Sequence, residues 1–321
     1  MTMIRDNKRT LLGLVSVLVS AGLVVWLLAR IDLAQTGELL ADANWGWLLL
    51  AALLTCALPF TSVFRWLGVL RAQDTQLPFL VALRAVMMAN VLNSFLPSKS
   101  GDVAKAVYLR EHGGLSKGTG TVILERLVDL GVLGALGLFG LLVNGTLWGL
   151  VAGAGLLGGV LGVFLVVTLL PIEKLPLPGK VTQILQDLRG VFTRWLGNRA
   201  AIAQTLGASV LTWSLGGFTV FALAQAFGTD LGLGFAYAVF PLAILAGLVP
   251  VTVSGIGTRD AAFVALLGSQ MSPEQATLVG LGYTLFAYWF LSLVSFPVVA
   301  WQVVAFLRGE RPAQGELGRQ S

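Results

Sequence analysis

The stretch LVPVTVSGIGTRDAAFVALL, residues 248–267, interrupts a long apolar run with a proline, closely spaced glycines and an adjacent pair of opposite charges. Pro250 ends a regular helix because proline lacks the amide proton and its ring clashes with the preceding turn. Gly255 and Gly257 are typical of a tight backbone turn. Arg259 and Asp260 follow at once. The pattern predicts a break between two helices inside a segment otherwise fit for the middle of a membrane.

The composition around this stretch is that of a helical membrane protein. Of 321 residues, 56% are hydrophobic and 12% are charged, and the mean hydropathy is +0.84. Apolar runs near the roughly 20 residues that span a bilayer recur along the chain, without the alternation of barrel strands. We predict an all-α polytopic membrane protein, one transmembrane domain over 1–321, with membrane-embedded segments at 11–29, 45–64, 78–96, 119–143, 147–170, 202–227, 235–253 and 275–306.

The scarcity of reactive side chains argues against most enzyme chemistry. Cys56 is the one cysteine and His112 the one histidine. They leave no disulfide, no thiolate cluster, no histidine metal site and no Ser-His-Asp triad. We therefore expect no metal, no cofactor and no catalytic residue. The net charge of +5 fits basic loops against anionic lipid, and no basic soluble module typical of nucleic-acid binding is present.

The distribution of basic residues predicts the topology. Lys and Arg concentrate in 98–118, 171–201 and the polar tail 307–321, and such loops stay in the cytoplasm. Eight full crossings would put 171–201 outside. Six crossings, with a re-entrant hairpin over 78–112 from the cytoplasm and another over 235–268 from outside, keep every basic loop inside. We favour the hairpins, an uncleaved first span, both termini in the cytoplasm and a location in the cell inner membrane.

The two suspected hairpins share a sequence layout. Each has a proline before a glycine and a basic residue four positions after that glycine, in FLPSKSGDVAKAV (95–107) and LVPVTVSGIGTRDAAFV (248–264). Lys105 follows Gly101 in this way, as Arg259 follows Gly255. We expect an inverted repeat with units 78–143 and 235–306, which places a site near the midplane where broken helices meet. The predicted turn residues are Pro97, Gly101, Pro250, Gly255 and Gly257.

Two further segments carry a distinct pattern. Residues 178–199 have apolar side chains at helical spacing opposite polar ones, which predicts an interfacial amphipathic helix. ERLVD (125–129) puts three charges in an apolar helix, and each costs about 3 kcal/mol at mid-bilayer. Arg126 and Asp129 lie on one face and can pair, whereas Glu125 and Asp129 repel unless another cation intervenes. Lys105 and Arg259 are the candidates for that cation.

We interpret these charges as a polar site for a lipid headgroup. Lys105, Arg126 and Arg259 would face the phosphate, for which arginine is well suited, and the carboxylates would face an amine. The alternative is that the charges lie near the headgroups and only hold helices together. We assign Arg65 and Arg84 to anchoring. The full set of predicted site residues is Lys105, Arg126, Arg259, Asp102, Glu125, Asp129, Asp260, Asn93, Ser98 and Lys99.

Three motifs in fixed order carry a resemblance to a known family. N-x2-LP-x3-GD-x2-KA (93–106), ERLVD (125–129) and VP-x4-GIGTRDAAF (249–263) resemble the lysylphosphatidylglycerol synthase transmembrane-domain family, which includes the flippase portion of the multiple peptide resistance factors. The family usually has Arg at position 105, so Lys105 departs from it. The resemblance implies movement of a phospholipid, such as an aminoacylated phosphatidylglycerol, between leaflets of the inner membrane.

The resemblance leaves three functions to weigh. The leading one is a lipid translocator, passive or coupled to an ion, in a stand-alone member without the synthase domain. The second is an accessory subunit that presents a lipid-linked substrate to a separate glycosyltransferase or synthase. The third is a membrane-embedded transferase with Glu125, Asp129 or Asp260 as its base.

Overall fold

The computed structural model describes residues 2–109, 114–144, 147–172, 176, 178–249 and 251–308, and none of them forms a strand. This confirms the all-α class. The helices are α1 Thr2–Leu28, α2 Leu33–Ala41, α3 Trp45–Arg71, α4 Phe79–Phe95, α5 Val103–Tyr108, α6 Gly114–Asn144, α7 Leu147–Leu169, α8 Gly179–Leu196, α9 Arg199–Ala226, α10 Leu233–Gly247, α11 Thr258–Leu267, α12 Pro273–Thr284 and α13 Leu291–Leu307.

Length and composition identify the helices fit to cross a membrane. Among the described residues they are Trp45–Arg71, Arg199–Ala226 and Pro273–Ala305, where a π-helical turn over Leu285–Phe290 joins α12 to α13. Val15–Leu28 and Leu33–Ala41, bent by 87°, make a fourth if they count as one broken span. Each predicted apolar run falls mainly on a helix, which confirms a polytopic membrane protein. The number of full crossings stays a prediction.

The core lies where α9, α10 and α12 meet. Phe240 is fully buried, and its ring packs edge to face on Tyr283 at a centroid distance of 5.7 Å. A Cβ on Gly216 would lie 2.5 Å from the Phe240 ring, so glycine is required for α9 to approach α10 this closely. α3 packs along α9, and α6 lies against α7 and α10. This packing fixes the helices that carry the site.

The first predicted break is present between α4 and α5. A 3-10 helix, Pro97–Asp102, follows Leu96 and leads directly into α5. A Cβ on Gly101 would lie 2.6 Å from the backbone nitrogen of Asn93, so this turn folds tightly back onto the end of α4. The side chains of Pro97, Ser98 and Lys99 lie outside the described residues.

The second break lies between α10 and α11. Pro250 lies outside the described residues, and Val253–Gly255 form a short 3-10 turn. Gly255 and Gly257 have φ values of +76° and +92°, which favour glycine. Ser254 donates a hydrogen bond from its hydroxyl to the carbonyl of Asn93 at 2.7 Å. The two breaks therefore contact each other inside the protein.

Two peripheral elements pack on this frame. α8 covers most of the predicted amphipathic segment 178–199, and Val191, Phe192 and Trp195 are buried on one side of it. α1 reaches the second break, where the hydroxyl of Ser20 accepts a hydrogen bond from the Val253 amide at 2.9 Å. The placement of α8 at the membrane surface stays a prediction.

Candidate functional site

Six charged side chains from α3, the first break, α5 and α6 meet beside the contact between the two breaks. We call this group the ion-pair cluster. Five of its members are buried almost completely, while the Arg126 side chain keeps 28% of its surface exposed. The cluster is formed by Arg65, Asp102, Lys105, Glu125, Arg126 and Asp129.

Arg65 is the cation that separates the two carboxylates of α6. Its Nε donates to Glu125 at 2.7 Å and its Nη1 donates to Asp129 at 2.9 Å. Glu125 and Asp129 are one helical turn apart and would repel each other without it. Sequence reasoning predicted an intervening cation and named Lys105, which pairs with Glu125, and Arg259, which pairs with Asp260 instead; it did not name Arg65.

The first hairpin supplies the other half of the cluster. Lys105 Nζ donates to the two carboxylate oxygens of Glu125 at 3.1 and 2.9 Å, and it lies 3.8 Å from Asp102. Arg126 forms an ion pair with Asp102 and a second one with Asp129, at 3.3 Å. The pairing of Arg126 with Asp129 is the one that their spacing predicts.

Asp129 has more donors than the other carboxylates of the cluster. Its Oδ1 accepts from Arg65, from the Ser209 hydroxyl at 3.1 Å and from the Trp213 indole at 2.9 Å. Ser209 and Trp213 both belong to α9. A buried carboxylate is tolerated only when it is paired and hydrogen-bonded, and these contacts offset the cost of burying Asp129.

A cavity with a volume of about 90 Å³ opens beside the cluster. This volume holds a few waters or a small polar group, and it is far smaller than a whole phospholipid. Two buried amide atoms on its wall, Asn90 Nδ2 and Asn93 Oδ1, have no hydrogen-bond partner. The polar and aromatic wall residues include Arg65, Asn90, Asn93, Asp102, Lys105, Arg126, Trp213, Tyr283 and Tyr288.

Arg259 and Asp260 form a separate pair rather than joining the cavity wall. Arg259 Nε lies 3.8 Å from Asp260, and the Thr284 hydroxyl bridges the two side chains. The guanidinium carbon of Arg259 lies 4.0 Å from the ring centre of Tyr288. The Tyr283 ring lies against Arg259 as well, at 5.5 Å, and both tyrosines line the cavity whereas Arg259 does not.

The structure therefore brings together most of the predicted site and divides the rest. Lys105, Arg126, Asp102 and Asn93 line one cavity, with Glu125 and Asp129 directly behind them. Arg259 and Asp260 are fully buried in the second pair. The side chains of Ser98 and Lys99 lie outside the described residues.

Sequence reasoning missed Arg65 and the aromatic wall. The assignment of Arg65 to anchoring is wrong, because its side chain is buried and holds two carboxylates. The available signal was that an arginine in a long apolar helix needs partners. Arg84 fits its assignment better, with its guanidinium carbon 4.8 Å from the ring centre of Trp301.

Comparison with known proteins identifies a family. The family model described as the lysylphosphatidylglycerol synthase TM region matches residues 13–295 of the chain. No curated protein matches the sequence.

Proposed function

The chain belongs to the family of lysylphosphatidylglycerol synthase TM regions, and from this premise we propose that it moves a phospholipid between membrane leaflets without altering it chemically. The family indicates a membrane lipid-related role for this multi-pass protein. The proposed substrate is an anionic lipid of the phosphatidylglycerol type or its aminoacylated derivative.

The observation that carries the proposal is a buried ion-pair cluster whose members line a cavity, with one arginine more exposed than the rest. Ionised groups inside a membrane are costly and mark substrate or ion pathways. Arg126 lines the cavity and is the most exposed member of the cluster. A guanidinium binds phosphate through two parallel hydrogen bonds. Arg126 is therefore the proposed contact for the lipid phosphate.

The size of the cavity fits a headgroup that enters from the side. The acyl chains of a phospholipid have no place in about 90 Å³, so they stay in the bilayer while the polar group passes the cluster. Asn90 and Asn93 offer an unused donor and an unused acceptor on the same wall. Such atoms favour a polar ligand, since a buried polar group without a partner is costly.

The lengths of two helices support re-entrant hairpins. α4 has 17 residues and α10 has 15, about 26 and 22 Å at 1.5 Å per residue. A bilayer core is about 30 Å thick, so both helices end before they have crossed it. We propose that the hairpins enter from opposite faces as an inverted repeat, with units 78–143 and 235–306, around a site near the midplane.

The same proposal includes an orientation in the inner membrane with both termini in the cytoplasm. It predicts that α8 faces the cytoplasm. In a Cys56→Ser background, a cysteine introduced at Gln186 should then react only with reagents that permeate the cell. Labelling of Gln186→Cys by an impermeant reagent added outside intact cells would contradict this orientation.

Proteoliposomes test the translocation itself. We expect the purified protein to move fluorescent phosphatidylglycerol to the opposite leaflet faster than empty vesicles do. Arg126→Gln should abolish the gain, while Arg199→Gln, an exposed arginine at the start of α9, should retain it. A rate equal to that of empty vesicles for anionic and aminoacylated lipids alike would refute the proposal. Copurification of an enzyme that needs this chain for activity would then favour the accessory role.

A further inference from the structure

The ion-pair cluster is electrically balanced. Arg65, Lys105 and Arg126 supply three positive charges, and three carboxylates supply three negative ones. An anionic headgroup that enters the cavity adds a negative charge to a site that water cannot fully solvate. Because an uncompensated charge in such a site is strongly disfavoured, a cation has to arrive together with the anion.

Exposure decides which member of the cluster meets the anion. The side chain of Arg126 is 28% exposed, whereas those of Arg65 and Lys105 are 4% and 2% exposed. Arg65 is also held at both ends by Glu125 and Asp129. Arg126 is therefore the cation that can turn towards a phosphate. When it turns, Asp102 and Asp129 lose their ion pairs with it.

Asp102 and Asp129 differ in the hydrogen-bond donors and cations that remain to them after Arg126 has turned. Asp129 keeps Arg65, Ser209 and Trp213 within 3.1 Å. Asp102 keeps the Asn93 amide at 3.1 Å, and its next cation, Lys105, is 3.8 Å away and bonded to Glu125. Among the described residues, Asp102 is thus the carboxylate that loses its one close cation.

No other element packed around Asp102 brings a replacement charge among the described residues. α3 contributes Arg65, which α6 holds through Glu125 and Asp129. α4 contributes the neutral Asn90 and Asn93, and the π-helical turn contributes Tyr288. On the side of the second hairpin, Arg259 and Asp260 neutralise each other behind Tyr288.

Asn93 is built to hold Asp102 in either protonation state. Its Nδ2 donates to Asp102 Oδ1, while its Oδ1 is buried without a hydrogen-bond partner. A protonated Asp102 carries an O–H donor, which the Asn93 carbonyl oxygen accepts once the amide has turned over. The neutral acid is then held by the same residue that holds the carboxylate.

We propose that Asp102 binds a proton when Arg126 turns to an anionic headgroup, so that the protein carries an anionic lipid together with one proton. The proton comes from water on the side where the lipid enters. It leaves on the opposite side when the lipid departs and Arg126 returns to the Asp102 carboxylate. The inference rests on the proposed function, and it makes each transport cycle electrically neutral.

Proton uptake on binding is the first test. The heat of binding of dihexanoyl phosphatidylglycerol to the purified protein is measured at one pH in two buffers that differ in ionisation enthalpy. We expect uptake of about one proton per bound lipid by linkage. Asp102→Asn should bind without uptake, and Asp42→Asn, a change at an exposed carboxylate after α2, should match the parent protein. Binding without proton uptake, or uptake that persists in Asp102→Asn, would overturn the inference.

A pH gradient across proteoliposomes separates this inference from the proposed function. Coupling to one proton shifts the distribution of a trace labelled lipid towards the alkaline leaflet, by up to tenfold per pH unit at a free-energy equivalence of about 1.4 kcal/mol per tenfold. Transport that ignores the gradient would overturn the coupling and leave translocation intact. Absence of any transport above empty vesicles would overturn both.

Discussion

Replacement of Arg65 by methionine removes the cation that holds Glu125 and Asp129 together. The guanidinium contacts them at 2.7 and 2.9 Å, and both carboxylates are buried. A hydrogen bond to a charged group contributes about 1.5–3 kcal/mol, and removal of one partner from a buried ion pair costs about 3–5 kcal/mol. We expect Arg65→Met to lower the free energy of unfolding by about 3–5 kcal/mol.

Thermal unfolding in detergent, followed by tryptophan fluorescence, measures this loss. An unfolding entropy of about 2.1 cal/mol/K per residue gives roughly 0.7 kcal/mol/K for the 321 residues. The melting temperature of Arg65→Met should therefore fall by about 4–7 °C. Arg199→Met, at an exposed position, should change it by less than about 1 °C, since surface substitutions stay within about 0.5 kcal/mol.

A second substitution tests whether the loss comes from the excess negative charge that Arg65→Met leaves in the cluster, where Lys105 still pairs with Glu125 and Arg126 still pairs with Asp129. Asp129→Asn removes that excess charge and keeps an amide oxygen that accepts from Ser209 and Trp213. Arg65→Met with Asp129→Asn should therefore melt at a higher temperature than Arg65→Met alone. A double variant that is less stable than the single one, or a single variant that melts like the parent protein, would refute the electrostatic account of the cluster.

Two further substitutions test the second hairpin. Gly255→Ala should lower the free energy of unfolding by about 1–3 kcal/mol more than Gly228→Ala, because overpacking adds to the backbone strain. Both glycines have positive φ. A Cβ at Gly255 would meet backbone atoms at 2.8 Å, whereas one at Gly228 meets nothing within 4 Å. Equal melting temperatures would contradict this. Thr284→Val removes the hydroxyl that bridges Arg259 and Asp260 and should cost about 1–3 kcal/mol, while Thr284→Ser should retain most of the stability; equal losses would show that the hydroxyl is unimportant.

Much of the fold is predictable from local sequence patterns. Apolar runs identify the helices, since a helix satisfies its own backbone in lipid. Proline and glycine identify the breaks, because each changes the backbone conformations allowed at its own position. The bend between α1 and α2 is harder to predict from the sequence, because the segment resembles a plain connection. Asp32 caps α2 there by accepting hydrogen bonds from the amides of Ala34 and Gln35.

The partners within the site depend on packing that spacing does not contain. Arg126 and Asp129 pair within one helix, so their contact follows from helical geometry. Arg65 reaches the cluster because α3 continues to Arg71, beyond the apolar run 45–64, and lies against α6 and α9. Arg259 occupies the position equivalent to Lys105 in its hairpin, yet Tyr288 of the π-helical turn lies over it. A sequence repeat predicts equivalent positions, but not equivalent surroundings.

The central claim is that lipid headgroups pass through the cavity beside Arg126. Ser62 lines that cavity, and Cys56→Ser provides a background for a single cysteine there. Translocation of fluorescent phosphatidylglycerol by Cys56→Ser/Ser62→Cys is measured before and after reaction with a bulky thiol reagent, with modification followed by mass spectrometry. The account predicts that complete modification stops translocation and that the same treatment leaves Cys56→Ser unaffected. An undiminished rate in the fully modified protein would contradict it.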